Sequence, residues 1–231
     1  MCASIISDAN ELTLGGKSAQ DVFKDEGVAM LLKAVINRDV STAKRLIAGG
    51  VNINTLGEKG ITPLLWVELN RDTDAMKLLL NLGADPNKYV LPGIGERGVG
   101  PAVWLAAGAG QKEILQILLD HGGDPNLVFG NDSPLMMAIG ASHLDCAELL
   151  LQHGADINYS AGPHSRTAFD MAIGILQYDL VLWVLNHGYT YDLPMARRGI
   201  VLEHRKTRPG QEIMKEQALE IIDHLLATQK K

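Results

Sequence analysis

The chain holds two cysteines in 231 residues, Cys2 and Cys146, too few for a disulfide framework. It holds no run of 18 or more apolar residues, so no segment is written to span a membrane as a helix. Positive charge is not in excess: 21 Lys and Arg stand against 27 Asp and Glu, a formal net charge of −6. That argues against nucleic acid as a partner, because such binding needs a basic footprint. There is no low-complexity tract and no Gly-x-Ser-x-Gly, and no Ser, Thr or Cys nucleophile can be paired with a base. Gly93-x-Gly95-x-x-Gly98 matches the dinucleotide fingerprint by letter only. Pro92 and four glycines place it in a loop, and no βαβ pattern surrounds it.

What is present is a phrase that recurs. Gly50-Val51-Asn52-Ile53-Asn54 is followed by Gly83-Ala84-Asp85-Pro86-Asn87, Gly123-Asp124-Pro125-Asn126 and Gly154-Ala155-Asp156-Ile157-Asn158, with steps of 33, 39 and 32 residues from Asn to Asn. A fifth, worn copy ends at Asp192. A period near 33 predicts a stack of helical repeats, in which each unit touches only its neighbours.

A second phrase keeps the same beat: Thr62-Pro63-Leu64-Leu65, Gly100-Pro101-Ala102-Val103, Ser133-Pro134-Leu135-Met136 and Thr167-Ala168-Phe169-Asp170. Each copy opens a short apolar helix, with Thr62, Ser133 and Thr167 as caps and proline at the first helical position. A second helix follows over Ala75–Leu80, Glu113–Leu119, Ala147–Leu151 and Leu180–Leu185. Glycine ends it at Gly83, Gly122, Gly154 and Gly188. Trp66 and Trp104 share one core slot in this alignment, with Met137 and Met171. Cys146 falls at the slot of Ile114 and reads as a small core residue.

His121, His153 and His187 recur before the helix-ending glycine, a repeat apart, so they line a ridge and do not converge on one ion. His143, His164, His204 and His224 lack a Cys or acidic partner at metal-ligand spacing. No catalytic, cofactor-binding or metal-ligating residue is assigned.

The two phrases together make residues 27–192 resemble the ankyrin repeat family. The resemblance implies an all-α solenoid of about five helix-turn-helix repeats with projecting finger loops, over 27–54, 55–87, 88–126, 127–158 and 159–192. Residues 1–26 form a tether with a short helix from Ser18. Residues 193–231 form a C-terminal cap whose helix, Gln211 to about Leu226, buries a face including Ile213, Leu219, Ile222 and Leu226. The family's Thr-Pro-Leu-His has lost its His in every copy; Leu65, Val103, Met136 and Asp170 stand there. That loss implies apolar packing where a hydrogen-bond network between repeats is usual. The basic stretch, Arg197-Arg198 and His204 to Arg208, reads as solvated.

Partners of such arrays lie against the fingers and the inner-helix face. The implied contact positions are Glu58, Lys59 and Ile61; Leu69 and Asn70; Leu91, Ile94, Glu96 and Arg97 in the long third finger; Phe129, Asn131 and Asp132; Tyr159, His164 and Arg166. Phe129 and Tyr159 lead as aromatic anchors. Gly108, Gly110, Gly140 and Gly174 leave the inner face shallow.

Thr62-Pro63-Leu64-Leu65-Trp66, Gly-Ala-Asp-Pro-Asn and the lead-in Ser18 to Asp25 are similar to small bacterial ankyrin lipoproteins. Several of these resemble immunity proteins of type VI secretion lipase and phospholipase effectors. That resemblance implies a monomeric, non-catalytic inhibitor of a secreted toxin, held in the periplasm by a lipid on Cys2. The alternative is a cytosolic ankyrin adaptor with Met1 as the natural start.

Overall fold

A computed structural model describes residues 13, 15–90, 99–163, 165–203 and 210–229. Among these residues no β-strand occurs beyond an isolated bridge between Phe129 and Asp132. The contacts group the described residues into two compact units: those up to Ala102 with Asp120–Gly123, and Val103–Leu119 with those from Asp124 onward.

The first unit holds α1 (Ala19–Phe23), α2 (Glu26–Ile36), α3 (Val40–Ala48), a 3₁₀ turn (Glu58–Gly60), α4 (Pro63–Leu69) and α5 (Thr73–Asn81). Each start is local chemistry. The side chains of Ser18, Asp25, Asp39, Thr62 and Asp72 each accept from a backbone amide in the first turn of the helix they precede. The second unit holds α6 (Ala102–Gly108) and α7 (Lys112–Asp120), apart from the terminal Ala102 and Asp120, with α8 (Pro134–Gly140), α9 (Leu144–Gln152), α10 (Ala168–Gly174), α11 (Tyr178–Asn186), α12 (Leu193–Leu202) and α13 (Gln211–Thr228).

The recurring asparagine is a staple. Its backbone amide donates to the Asp or Asn side chain two residues earlier, at 2.8–2.9 Å in all four copies. Its side-chain amide donates to the carbonyl of the helix-ending glycine, or its equivalent, one repeat on: Asn54 to Gly83, Asn87 to Gly122, Asn126 to Gly154, Asn158 to Gly188. Its oxygen accepts the amide of Asp85 (from Asn54) or Asp156 (from Asn126), both at 2.8 Å. The side-chain amide serves both bonds at once, donating through Nδ2 and accepting through Oδ1. Asn126→Ala removes two of these bonds, and an expected cost of about 1–2 kcal/mol is checked by urea denaturation.

The tight turn between paired helices carries one left-handed residue per repeat: Arg38, Arg71, Gly110, Ser142 and Leu176. Arg38, Gly110 and Ser142 meet the cap of the next repeat. Arg38 forks onto the Asp72 carboxylate at 2.6 and 3.2 Å, and the Ser142 hydroxyl donates to Gln177 at 2.8 Å. Gly110 has no freedom to be another residue, since a Cβ there would lie 2.6 Å from the His143 ring.

These turns correct the alignment of the third repeat. Thr62, Ser133 and Thr167 each precede their left-handed residue by nine positions, and nine before Gly110 is Pro101, not Gly100. Accordingly α6 starts at Ala102, after the proline, whereas α4 and α8 start on theirs. The slot of Leu65, Met136 and Asp170 therefore belongs to Trp104, not Val103. Trp66 pairs by slot with Leu105, Met137 and Met171. Pro101 has no side-chain oxygen with which to cap, so the letters Gly-Pro misled the alignment.

At the C-terminus the structure adds a helix, α12, over a segment whose letters show only a basic stretch. Asp192 caps α12 by accepting from the Met195 amide, and Leu193, Ala196 and Ile200 are buried. Helix α12 packs on α10, and α13 packs on α11 and α12. The pair thus repeats the inner-on-inner, outer-on-outer arrangement of a further repeat. Arg197 is not free; its guanidinium forks onto Asp223 of α13 at 2.6 and 3.2 Å. The buried face of α13 is Ala218 and Ile222, while Ile213 is 65% exposed and not part of it.

Candidate partner-binding surface

In the first unit, Glu58 and Lys59 lie exposed on the 3₁₀ turn, Lys59 with φ of 57°. Glu58 pairs with Lys17, whose hydrogen bond and charge hold its carboxyl below the usual range. Ile61, expected at a finger tip, is 4% exposed and packs inward. Leu69 is exposed at the end of α4, whereas Asn70 turns back to donate to the Trp66 carbonyl at 2.8 Å. Leu91, Ile94, Glu96 and Arg97 lie outside the described residues, as do His164, Cys2 and the 204–209 stretch.

In the second unit the fingers interlock. The indole of Trp104 donates to the Asp132 carbonyl at 3.1 Å and meets the Phe129 ring edge-on at 5.4 Å. So the lost-His slot of the third repeat does bond across to the next finger, contrary to the apolar packing expected there. Phe129 is half-buried against that indole. Asp132 accepts both bonds of the Arg166 guanidinium, at 2.8 and 3.1 Å, tying one finger to the next. Asn131 is exposed and Tyr159 half-buried. The inner face is less shallow than its glycines suggest. Met137 covers Gly108 and Met171 covers Gly140, so that a Cβ at either would meet a methionine methyl at 3.2 or 2.6 Å.

A pocket of about 370 Å3 opens where finger five meets the start of α12. Arg166, Asp170, Tyr189, Tyr191, Asp192 and Met195 line it. Tyr189 is buried, stacks on Phe169 at 5.4 Å and donates to the Thr167 hydroxyl at 3.2 Å. Burial, and the carboxylates of Asp170 and Asp192, push its phenol up to about 12. Tyr191 and Met195 are 36% and 45% exposed. The sequence reading missed this pocket. Its signal was Asp170 where other repeats carry Leu65, Trp104 or Met136, and Asp192 where they carry the staple Asn.

A second missed feature is Glu68 in α4. It is 2% exposed and its Oε2 meets no hydrogen-bond partner; the neighbouring Trp66 Nε1 is likewise unmet. Burial raises the Glu68 carboxyl well above its ordinary value. The same slot holds Val35, Ala107, Ile139 and Ile173 elsewhere. Cys146 is buried, as expected of a core residue, and burial pushes its thiol up to about 11, away from reactivity.

Among the described residues no group of three or more His, Cys, Asp or Glu could hold a metal ion, and no helix is long and apolar enough to cross a membrane. Short helix pairs joined by tight turns, with stapled loops and interlocked fingers, define a helical-repeat binding module. Family models bear this out: a single ankyrin repeat matches residues 59–89 and three ankyrin repeats match 103–194, together more than half the chain. The chain belongs to the ankyrin repeat family. Its repeats mark a protein–protein interaction module, and such modules are as a rule not catalysts. No curated protein matches the chain.

Proposed function

We propose that this protein acts by binding one other protein along its fingers and does no chemistry of its own. The observation that carries this is what the fingers leave uncovered. Once the staples and interlocks are made, Lys59, Asn131 and Arg166 still face solvent, as do the apolar Leu69, Tyr191 and Met195. Groups that stay exposed after these contacts are made are available for recognition, and polar and charged groups beside apolar spots suit a protein surface. Lys59→Glu with Asn131→Ala should leave stability within about 0.5 kcal/mol yet weaken capture of the partner; unchanged capture would place the contact elsewhere.

Within that reading, the partner is a secreted toxic effector such as a lipase, and the protein is its immunity inhibitor. It works by occluding the effector's active site in the periplasm, anchored through a lipid on Cys2. Support comes from the resemblance of the Thr62 to Trp66 phrase and the Ser18 to Asp25 lead-in to small bacterial ankyrin lipoproteins. The test is capture from the native organism with this chain as bait, followed by mass spectrometry and assay of the complex. A secreted hydrolase recovered with its activity blocked supports the inhibitor. A cytosolic partner, or a partner left active, overturns the inhibitor and keeps the binding module; no specific partner overturns both.

A further inference from the structure

We infer that the pocket beside α12 is the vacated place of a sixth finger and receives an arginine side chain from an extended segment of the protein partner. The inference rests on the protein-binding reading above and names the chemistry of its contact.

In the earlier repeats a finger separates the staple residue from the next inner helix, as between Asn126 and Ser133 or between Asn158 and Thr167. After Asp192 there is none; α12 begins at Leu193. The staple itself has changed accordingly. Asn158 still orders the loop, accepting from the Thr190 and Tyr191 amides at 2.7 and 2.9 Å. Asp192 has no further loop to staple and its side chain turns onto its own helix. A helix pair without its finger leaves finger five facing open space instead of a neighbour, which is where the pocket lies.

The protein already shows what one finger offers the next. Asp132 of finger four holds the guanidinium of Arg166 from finger five through both its oxygens. The vacated place repeats that offer. Asp170 and Asp192 both line it, and among the described residues neither is ion-paired. Asp170 uses Oδ2 for the Thr167 amide and hydroxyl, and Asp192 uses Oδ1 for the Met195 amide, leaving the other oxygen of each for a guest. Among the described residues the one cation in the lining, Arg166, is neutralised by Asp132. The pocket is thus acidic and wants a cation. Tyr191 offers a ring face for a guanidinium and Met195 an adaptable wall for its alkyl stem. A planar donor that can fork between two carboxylates favours arginine over lysine.

The test uses the full chain with 13C-labelled methionine methyls, titrated with N-acetyl-arginine N-methylamide and, separately, with its uncharged citrulline analogue. The expected result is a saturable shift of the Met195 methyl in the millimolar range, with methionines outside the pocket unmoved. Citrulline, and arginine against Asp170→Asn with Asp192→Asn, should bind about tenfold more weakly, the loss expected when charge-assisted hydrogen bonds go. Asparagine keeps a capping oxygen at both sites, so the helices start as before. If the double variant nevertheless unfolds, the citrulline comparison on the unaltered protein decides. Absence of a saturable Met195 shift, or equal shifts from both probes, overturns the proposal. Because the probe reads the pocket directly, that failure leaves the capture experiment free to decide the protein-binding reading separately.

Discussion

Replacing Glu68 with methionine is expected to stabilise the protein by about 1–3 kcal/mol at pH 8, the cost of one buried polar group left unmet. The carboxyl lies near the end of α4, buried, with Oε2 unpartnered, in a slot that takes Val, Ala or Ile in the other repeats. Methionine is close to it in volume and adapts to its surroundings. The effect has a sign in pH. Burial raises the carboxyl in the folded protein, so the folded chain keeps a proton that the unfolded chain releases above its ordinary value. Stability from this group is therefore fully present in acid and falls as pH rises from the ordinary carboxylate range towards the raised folded value. The slope is about 1.4 kcal/mol per pH unit. Urea denaturation of both proteins at pH 4, 6 and 8 should show the gap widening with pH. The carboxyls of Asp39, Glu58 and Asp223, all held below the usual range by hydrogen bonds, are common to both proteins and cancel in the comparison. A gap that stays constant with pH would mean that Glu68 is ionised in the folded state.

Leu118→Ala is expected to cost about 2–5 kcal/mol, the range for emptying a leucine-sized volume in a packed core. Leu118 is fully buried in α7, and its slot holds Leu79, Leu150 and Val184, all buried as well. In a repeat array each unit rests only on its neighbours, so no distant packing can compensate. A loss under about 0.5 kcal/mol, the usual range for surface changes, would mean that Leu118 does not face the core.

How much was legible from letters alone differs by residue. The caps at Thr62, Ser133 and Thr167 were, because a hydroxyl three residues before an amide needs nothing but its own helix. The burial of Cys146 followed from its slot. Phe129 was legible as an aromatic in a finger but not as the partner of Trp104, since the contact joins residues 25 apart that only the folded repeat brings together. Ile61 looked like a tip residue because its neighbours in sequence are polar; its burial is set by what packs over it. Helix α12 was obscured by Arg197 and Arg198, which read as a solvated run until the Arg197–Asp223 fork across to α13 is seen.

The sequence by itself determined the repeat: its period, its helix pairs, the caps at Thr62, Ser133 and Thr167, the helix-ending glycines and the place of the recurring asparagine. Each is written in side chains that act on backbone within a few residues, or at one fixed period. Only the tertiary structure decided the frame of the third repeat, the burial of Glu68, the hold of Trp104 on the next finger and the open place after Asp192. Those depend on whether a neighbouring element covers a given side chain. The same apolar or acidic letter is core where a finger or helix lies over it and recognition surface where none does.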